Sequence, residues 1–135
     1  MAAMSGRCLC GAVRYMAQDV ETRHHVCHCG MCRRWAGAPL FAAAAGSVGF
    51  ESERELGRYD SSDWAQRGFC RTCGSSLFYL LKPTGRYFVA VGSFEDPSAF
   101  QLAAEIYVDH KPRGYAFAGE LESLTEAQML ARFRE

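Results

Sequence analysis

A mainly β, antiparallel fold with one short helix near the C-terminal end is predicted by three observations. Short segments rich in β-branched and aromatic residues recur along the chain, with Gly or Asp turn signals between them. Seven cysteines fall into closely spaced groups that could tie distant segments together. The best-formed helix start lies at Thr125.

In chain order, residues 7–15 alternate, with Leu9, Gly11, Val13 and Tyr15 on one face and Cys8, Cys10, Ala12 and Arg14 on the other. This is the period of a half-buried strand that presents two thiols together. Further strands are expected at residues 39–44, 48–53, 66–69, 76–81, 87–91 and 105–108. One short helical turn is expected at residues 96–100, because Pro97 suits a first helical position. After Thr125, Gln128 completes a capping box and Leu124 can staple against Met129, so Met129, Leu130 and Phe133 are expected to face the core. No repeat, low-complexity tract or linker interrupts the chain, and residues 5–135 are expected to form one domain.

A length of 135 residues supports one real core and falls short of two typical ones. The composition, 49% hydrophobic and 22% charged, is that of a globular chain rather than a disordered or coiled-coil one. Fifteen basic residues balance fifteen acidic ones, so no long-range field draws the chain to nucleic acid or to an acidic membrane. Residues 1–6 lack the charged-then-apolar pattern of a secretory signal. The longest apolar stretch, residues 35–50, is too short to span a bilayer and is broken by Pro39 and several glycines. A cytoplasmic protein with reduced thiols is expected, since an odd cysteine count cannot pair off completely.

The cysteines are grouped two, three and two: Cys8 and Cys10, then Cys27, Cys29 and Cys32, then Cys70 and Cys73. A structural zinc site takes four N or S ligands in a tetrahedron, usually as two pairs from separate segments. Cys70 and Cys73 form a metal-binding knuckle in which Gly74 can take a positive φ and let backbone amides approach the sulfurs. Cys8 and Cys10 could complete that site from across a sheet. Cys27, Cys29 and Cys32 then supply only three thiolates, the pattern of a catalytic zinc with one open position. Spacing alone also permits Cys8 or Cys10 to join the middle cluster. It equally permits a closed second site with His24, His25, His28 or His110 as fourth ligand. His28 is the weakest of these, because on an extended strand its ring points away from its cysteine neighbours.

Seven thiolates around two zinc ions would leave a local charge of about −3, which Arg33, Arg34, Arg67 and Arg71 beside the clusters can offset. One or two of them could instead hold the carboxylates of an acidic thiol. Trp35 and Trp64 are expected in the core, and Tyr79, Tyr87, Phe88 and Tyr107 in sheet packing.

The runs Gly6-Arg7-Cys8-Leu9-Cys10-Gly11-Ala12-Val13-Arg14-Tyr15, Cys27-His28-Cys29-Gly30-Met31-Cys32-Arg33 and Phe69-Cys70-Arg71-Thr72-Cys73-Gly74-Ser75-Ser76-Leu77 resemble the glutathione-dependent formaldehyde-activating enzyme family, which also includes centromere protein V. The resemblance implies an antiparallel β-tent, its sheets stapled by zinc, and two zinc ions per chain. It assigns Cys8, Cys10, Cys70 and Cys73 to a structural zinc and Cys27, Cys29 and Cys32 to a catalytic one. Near the C-terminus, where the family often has a His and then a Trp, this chain has Glu105 and Tyr115. The activity implied is that of a carbon-sulfur lyase joining a small aldehyde such as formaldehyde to a thiol such as glutathione. The alternative is a non-catalytic interaction module with two structural zinc sites. A thiol-based metal buffer is a third reading.

Overall fold

The computed structural model describes residues 2–134, with side-chain surroundings described as far as residue 132. Strands β1 (Ala2–Arg7), β2 (Arg14–Val20) and β5 (Ser47–Phe50) form a three-stranded antiparallel sheet in the order β1-β2-β5. The larger sheet contains β3 (Arg23–Cys27), β4 (Leu40–Ala45), β6 (Leu56–Asp60), β7 (Ala65–Cys70), β8 (Ser76–Leu81), β9 (Arg86–Ala90), β10 (Gln101–Ile106) and β11 (Glu122–Leu124). Its order is β11-β10-β3-β4-β9-β8-β7-β6. All its pairings are antiparallel except those of β10 with β3 and with β11. Helix α1 (Gly30–Ala36) follows β3, and α2 (Glu126–Arg134) is the last element of the described residues.

Mainly β architecture with a short C-terminal helix is therefore correct, and most expected strands lie within a residue or two of their sequence positions. Two expectations fail for backbone reasons. Residues 7–15 are not one strand: β1 ends at Arg7, β2 begins at Arg14, and Cys8 to Val13 form the turn of a hairpin. The turn is closed by the Cys8 N–H to the Val13 carbonyl (3.0 Å) and by the Gly11 N–H to the Cys8 carbonyl (3.2 Å). Gly11 at φ 81° supplies a conformation that other residues rarely adopt. The strand expected at 105–108 instead runs from Gln101 to Ile106, because Tyr107 turns left-handed at φ 57° and ends it.

At the C-terminal end the capping box forms in both directions. The Thr125 N–H donates to Gln128 Oε1 at 2.8 Å, and the Gln128 N–H donates to Thr125 Oγ1 at 3.2 Å. Met129 packs inward beside Leu124, but Leu130 is 41% exposed and does not join the core. The expectation for Phe133 falls outside the described side chains. Trp64, in the bend before β7, is 56% exposed rather than buried. Residues 96–100 contain the expected turn, with the Asp96 side chain capping the Ser98 N–H at 3.1 Å.

Two hydrophobic cores lie on opposite faces of β4. Ala43 and Ala45 pack with Cys8, Val13, Tyr15, Ala17, Leu77, Phe78 and Val89, between the two sheets. Leu40 and Ala42 pack with Cys27, Cys32 and Ile106, and against Trp35, Phe88, Tyr107 and Met129. The cross-strand register sorts side chains between them. The row Gly68, Phe78, Val89, Ala43 belongs to the first face, and the adjacent row Arg67, Tyr79, Phe88 to the second. Gly68 is required at its place, since a Cβ there would meet the Phe78 ring at 2.1 Å. No helix among the described residues is long and apolar enough to cross a membrane.

Candidate metal centres

The sulfurs of Cys8, Cys10, Cys70 and Cys73 converge within 4.8 Å of one another. The β1-β2 turn brings the first pair, and the turn from β7 to β8 brings the second. Gly74 at φ 80° closes that second turn, its N–H donating to the Cys70 carbonyl at 2.8 Å, as the knuckle motif predicts. The Leu9 N–H donates to Ser75 Oγ at 3.0 Å and links the two turns directly. The Sγ–Sγ separations of 3.6 Å (Cys8–Cys10) and 3.8 Å (Cys10–Cys70) match the edge of about 3.8 Å in a tetrahedron with metal–sulfur bonds of about 2.3 Å. Backbone N–H groups point at the sulfurs, Val13 to Cys8 at 3.3 Å and Cys73 to Cys70 at 3.5 Å, and so favour thiolates. Donor set and spacing both fit a tetrahedral metal.

Cys27, Cys29 and Cys32 form a second, separate group of converging sulfurs. Cys27 ends β3, Cys29 is the N-cap of α1, and Cys32 lies in its first turn. The Cys32 N–H donates to Cys29 Sγ at 3.3 Å, so capping the helix and shaping the cluster are one interaction. Hydrogen bonds from the Cys27 and Cys32 thiols pull Cys29 down to about 2, against the opposing effect of burial. The bond to Cys29 pushes Cys27 well above the ordinary thiol range, with burial acting in the same direction. Negative charge in the cluster is thus concentrated on Cys29, while Cys27 and Cys32 are both pushed up. Cys8 and Cys10 do not join this cluster, which removes the alternative partition.

Among the described residues no histidine nitrogen joins the three sulfurs. His24 packs edge-on against Phe41 and Phe100, His25 against Phe88, and His110 bonds Glu126 at 3.0 Å. His28 is 0% exposed, and both its ring nitrogens are taken. Nε2 lies 2.9 Å from Glu105 Oε1, and Nδ1 lies 2.8 Å from the Tyr115 hydroxyl. A carboxylate accepts, so Nε2 carries a proton toward Glu105, while Nδ1 pairs with the Tyr115 hydroxyl. Glu105 and Tyr115, where the family pattern differs, therefore meet on the residue between two of the cysteines. Tyr115 and Phe117 also stack near the His28 ring, fastening the C-terminal segment beside the cluster.

Sequence reasoning missed α1, which has seven residues and no apolar period; Gly37, its left-handed C-cap at φ 80°, was the available signal. Arg33 Nε donates to the His28 carbonyl at 2.9 Å. Arg33, Arg34, Gly37, Ala38, Pro39 and Tyr115 line a cavity of about 440 Å³ at the end of α1. Arg67 turns inward and reaches Cys32 Sγ. A second cavity, of about 470 Å³, lies beside the four-cysteine group and is lined in part by Arg7, Cys8, Ser75 and Phe94.

Fold and sites together define a β protein with two thiol-rich centres that can each hold a metal ion. The chain matches the family described as glutathione-dependent formaldehyde-activating enzyme over residues 3–110, and it belongs to that family. It is 32% identical over 127 residues to an uncharacterized lyase of Schizosaccharomyces pombe, with 93% of each chain covered. A crystal structure of a Rhodobacter sphaeroides protein shares the fold at a TM-score of 0.58 and 23% identity, covering 90% of this chain and 100% of that one.

Proposed function

We propose that this chain is a zinc-dependent carbon-sulfur lyase or synthase that joins a small aldehyde, formaldehyde or one like it, to a thiol such as glutathione. The observation that carries the reading is the contrast in ligand number. Four sulfurs converge in one group, while three converge in the other with no further cysteine or histidine ligand among the described residues. In this reading Cys8, Cys10, Cys70 and Cys73 hold a structural zinc, and Cys27, Cys29 and Cys32 hold the second. Family membership and the name of the yeast relative support a lyase.

Zinc held by three cysteines would supply acidification of a thiol bound at the remaining position. The chain's own residues provide the setting. Cys29, pulled down by its neighbours, supplies one thiolate to meet a divalent ion. His28, clamped by Glu105 and Tyr115, holds the C-terminal segment against the cluster. Arg33 and Arg34 line the cavity at the end of α1 and offer charge-assisted bonds to the carboxylates of an acidic thiol. In the overall reaction a sulfur–carbon bond forms, the carbonyl π bond opens, and the thiol proton ends on the carbonyl oxygen. The product is a hemithioacetal and no electrons change hands.

Exchange spectroscopy of formaldehyde with glutathione tests the reading. Acceleration by the fully zinc-loaded protein over folded protein from which a chelator has taken only the labile ion is expected. No acceleration across several thiols and aldehydes would favour the non-catalytic interaction module.

A further inference from the structure

Arg67 is 3% exposed, and among the described residues no carboxylate lies within ion-pair distance of it. Its Nε has no hydrogen-bond partner. Both terminal nitrogens converge on one atom, Sγ of Cys32, at 3.6 and 3.7 Å. The guanidinium carbon lies 5.1 Å from the ring centre of Trp35 and 5.1 Å from that of Tyr79. The two rings restrict the fork and attract its charge. The pairing of Arg67 with Tyr79 across β7 and β8 places this arrangement on the sheet face that carries the three-cysteine cluster.

A buried guanidinium without a carboxylate needs negative charge from another source. The nearest source is the set of thiolates that Cys27, Cys29 and Cys32 present to a metal. Three thiolates around a divalent ion leave one net negative charge, which Arg67 cancels. We propose that Arg67 is the positioning residue that lets the three-cysteine centre accept an anionic sulfur from a small thiol as its fourth ligand. With Arg67 in place, a bound thiolate brings the buried group to one negative charge; without it, the group would carry two. A neutral ligand such as imidazole adds no charge and is far less sensitive to the loss. The inference rests on the proposed reading of the three-cysteine centre as open to a thiol.

The test uses the full chain with cobalt(II) in place of zinc, because sulfur-to-cobalt charge transfer reports each added thiolate. Difference spectra are recorded as 2-mercaptoethanol, and separately imidazole, is added to the native protein, Arg67→Met and Arg67→Lys. We expect a saturable thiol band in the native protein, an apparent Kd raised about tenfold or more in Arg67→Met, and recovery of most of that loss in Arg67→Lys. Imidazole affinity should change less than about threefold. Equal thiol affinity in native protein and Arg67→Met overturns the role of Arg67 and leaves the open centre standing. Absence of any thiol band in the native protein overturns both. A parallel loss of thiol and imidazole binding marks Arg67 as merely structural and also overturns the inference. If Arg67→Met holds no cobalt at this centre, Arg67→Lys decides: cobalt and thiol both bound supports the charge role, and cobalt lost again refutes it.

Discussion

The two cysteine clusters use the same ligand chemistry in opposite ways. The four-cysteine group joins a turn near residue 10 to one near residue 72, and so fastens the β1-β2 hairpin of the small sheet to the β7-β8 hairpin of the large one. The three-cysteine group spans six residues of continuous chain at the start of α1. A link that closes a long loop restricts the unfolded chain more than one that closes a short loop, by about 0.6 kcal/mol for each doubling of length. Location alone, before any count of ligands, is thus in keeping with the proposed reading of the first cluster as a staple and the second as a working centre.

The sharpest way to break that contrast is a pair of substitutions. Cys70→Ser should remove cooperative folding, a loss of about 5 kcal/mol or more, because metal binding and folding are then one process. Cys29→Ser keeps a capping side chain at the start of α1, so it should cost less than about 1 kcal/mol and release one metal ion while the fold survives. Thermal melts with metal analysis would show both, and equal destabilisation by the two changes would erase the distinction.

Metal removal should give the next largest difference. A chelator is expected to extract about one zinc per chain from folded protein with the far-ultraviolet circular dichroism unchanged, and the other only on unfolding. Simultaneous release of both would contradict separate roles.

Smaller effects should come from the polar clamp. Tyr115→Phe and Glu105→Gln each disturb one partner of a fully buried His28 ring, at about 1–3 kcal/mol. Chelator-accessible metal should leave faster in both variants, with the tightly held ion unaffected. Release rates that rise for both ions would show that the clamp supports the whole fold rather than one centre.

The smallest effect is chemical. After extraction of the labile ion, iodoacetamide should label Cys29 ahead of Cys27 and Cys32. Cys29 lies at about 2 and is only partly buried, so lowering the pH from 8 to 6 leaves its thiolate in place. Cys27, pushed up, stays protonated across that range. Peptide mapping by mass spectrometry would show the order, and preferential labelling of Cys27 would reverse the charge assignment.

Much of this was legible in sequence because it is local. The knuckle at Cys70 to Gly74, the Thr125–Gln128 capping box and the β8 strand depend on neighbours a few residues away, and each appears where spacing places it. The Cys8 to Val13 turn misled because Gly11, the residue that bends it, fits an alternating pattern as well as it fits a turn. His28 could be turned away from the sulfurs by alternation alone, but nothing local identified Glu105 and Tyr115 as its partners. That meeting depends on the parallel pairing of β3 with β10, in which the His28 N–H donates to the Ile106 carbonyl at 3.1 Å. Arg67 was visible as a charge near Cys70, and only the cross-strand register reveals that it reaches Cys32 in the other cluster.

The alanines of β4 carry a consequence for how such a protein can diversify. Ala42 and Ala43 face opposite cores, so the two interiors stand back to back across a partition one backbone thick with a methyl group on either side. Neither chamber can be hollowed out or refilled without pressing on its neighbour, since close-packed interiors transmit strain. Room for a bulkier or differently charged guest must come from the rim, where α1 and the segment bearing Tyr115 border open space. Variation in guest preference among proteins of this architecture should accordingly gather in those two peripheral pieces, with the partition left nearly untouched.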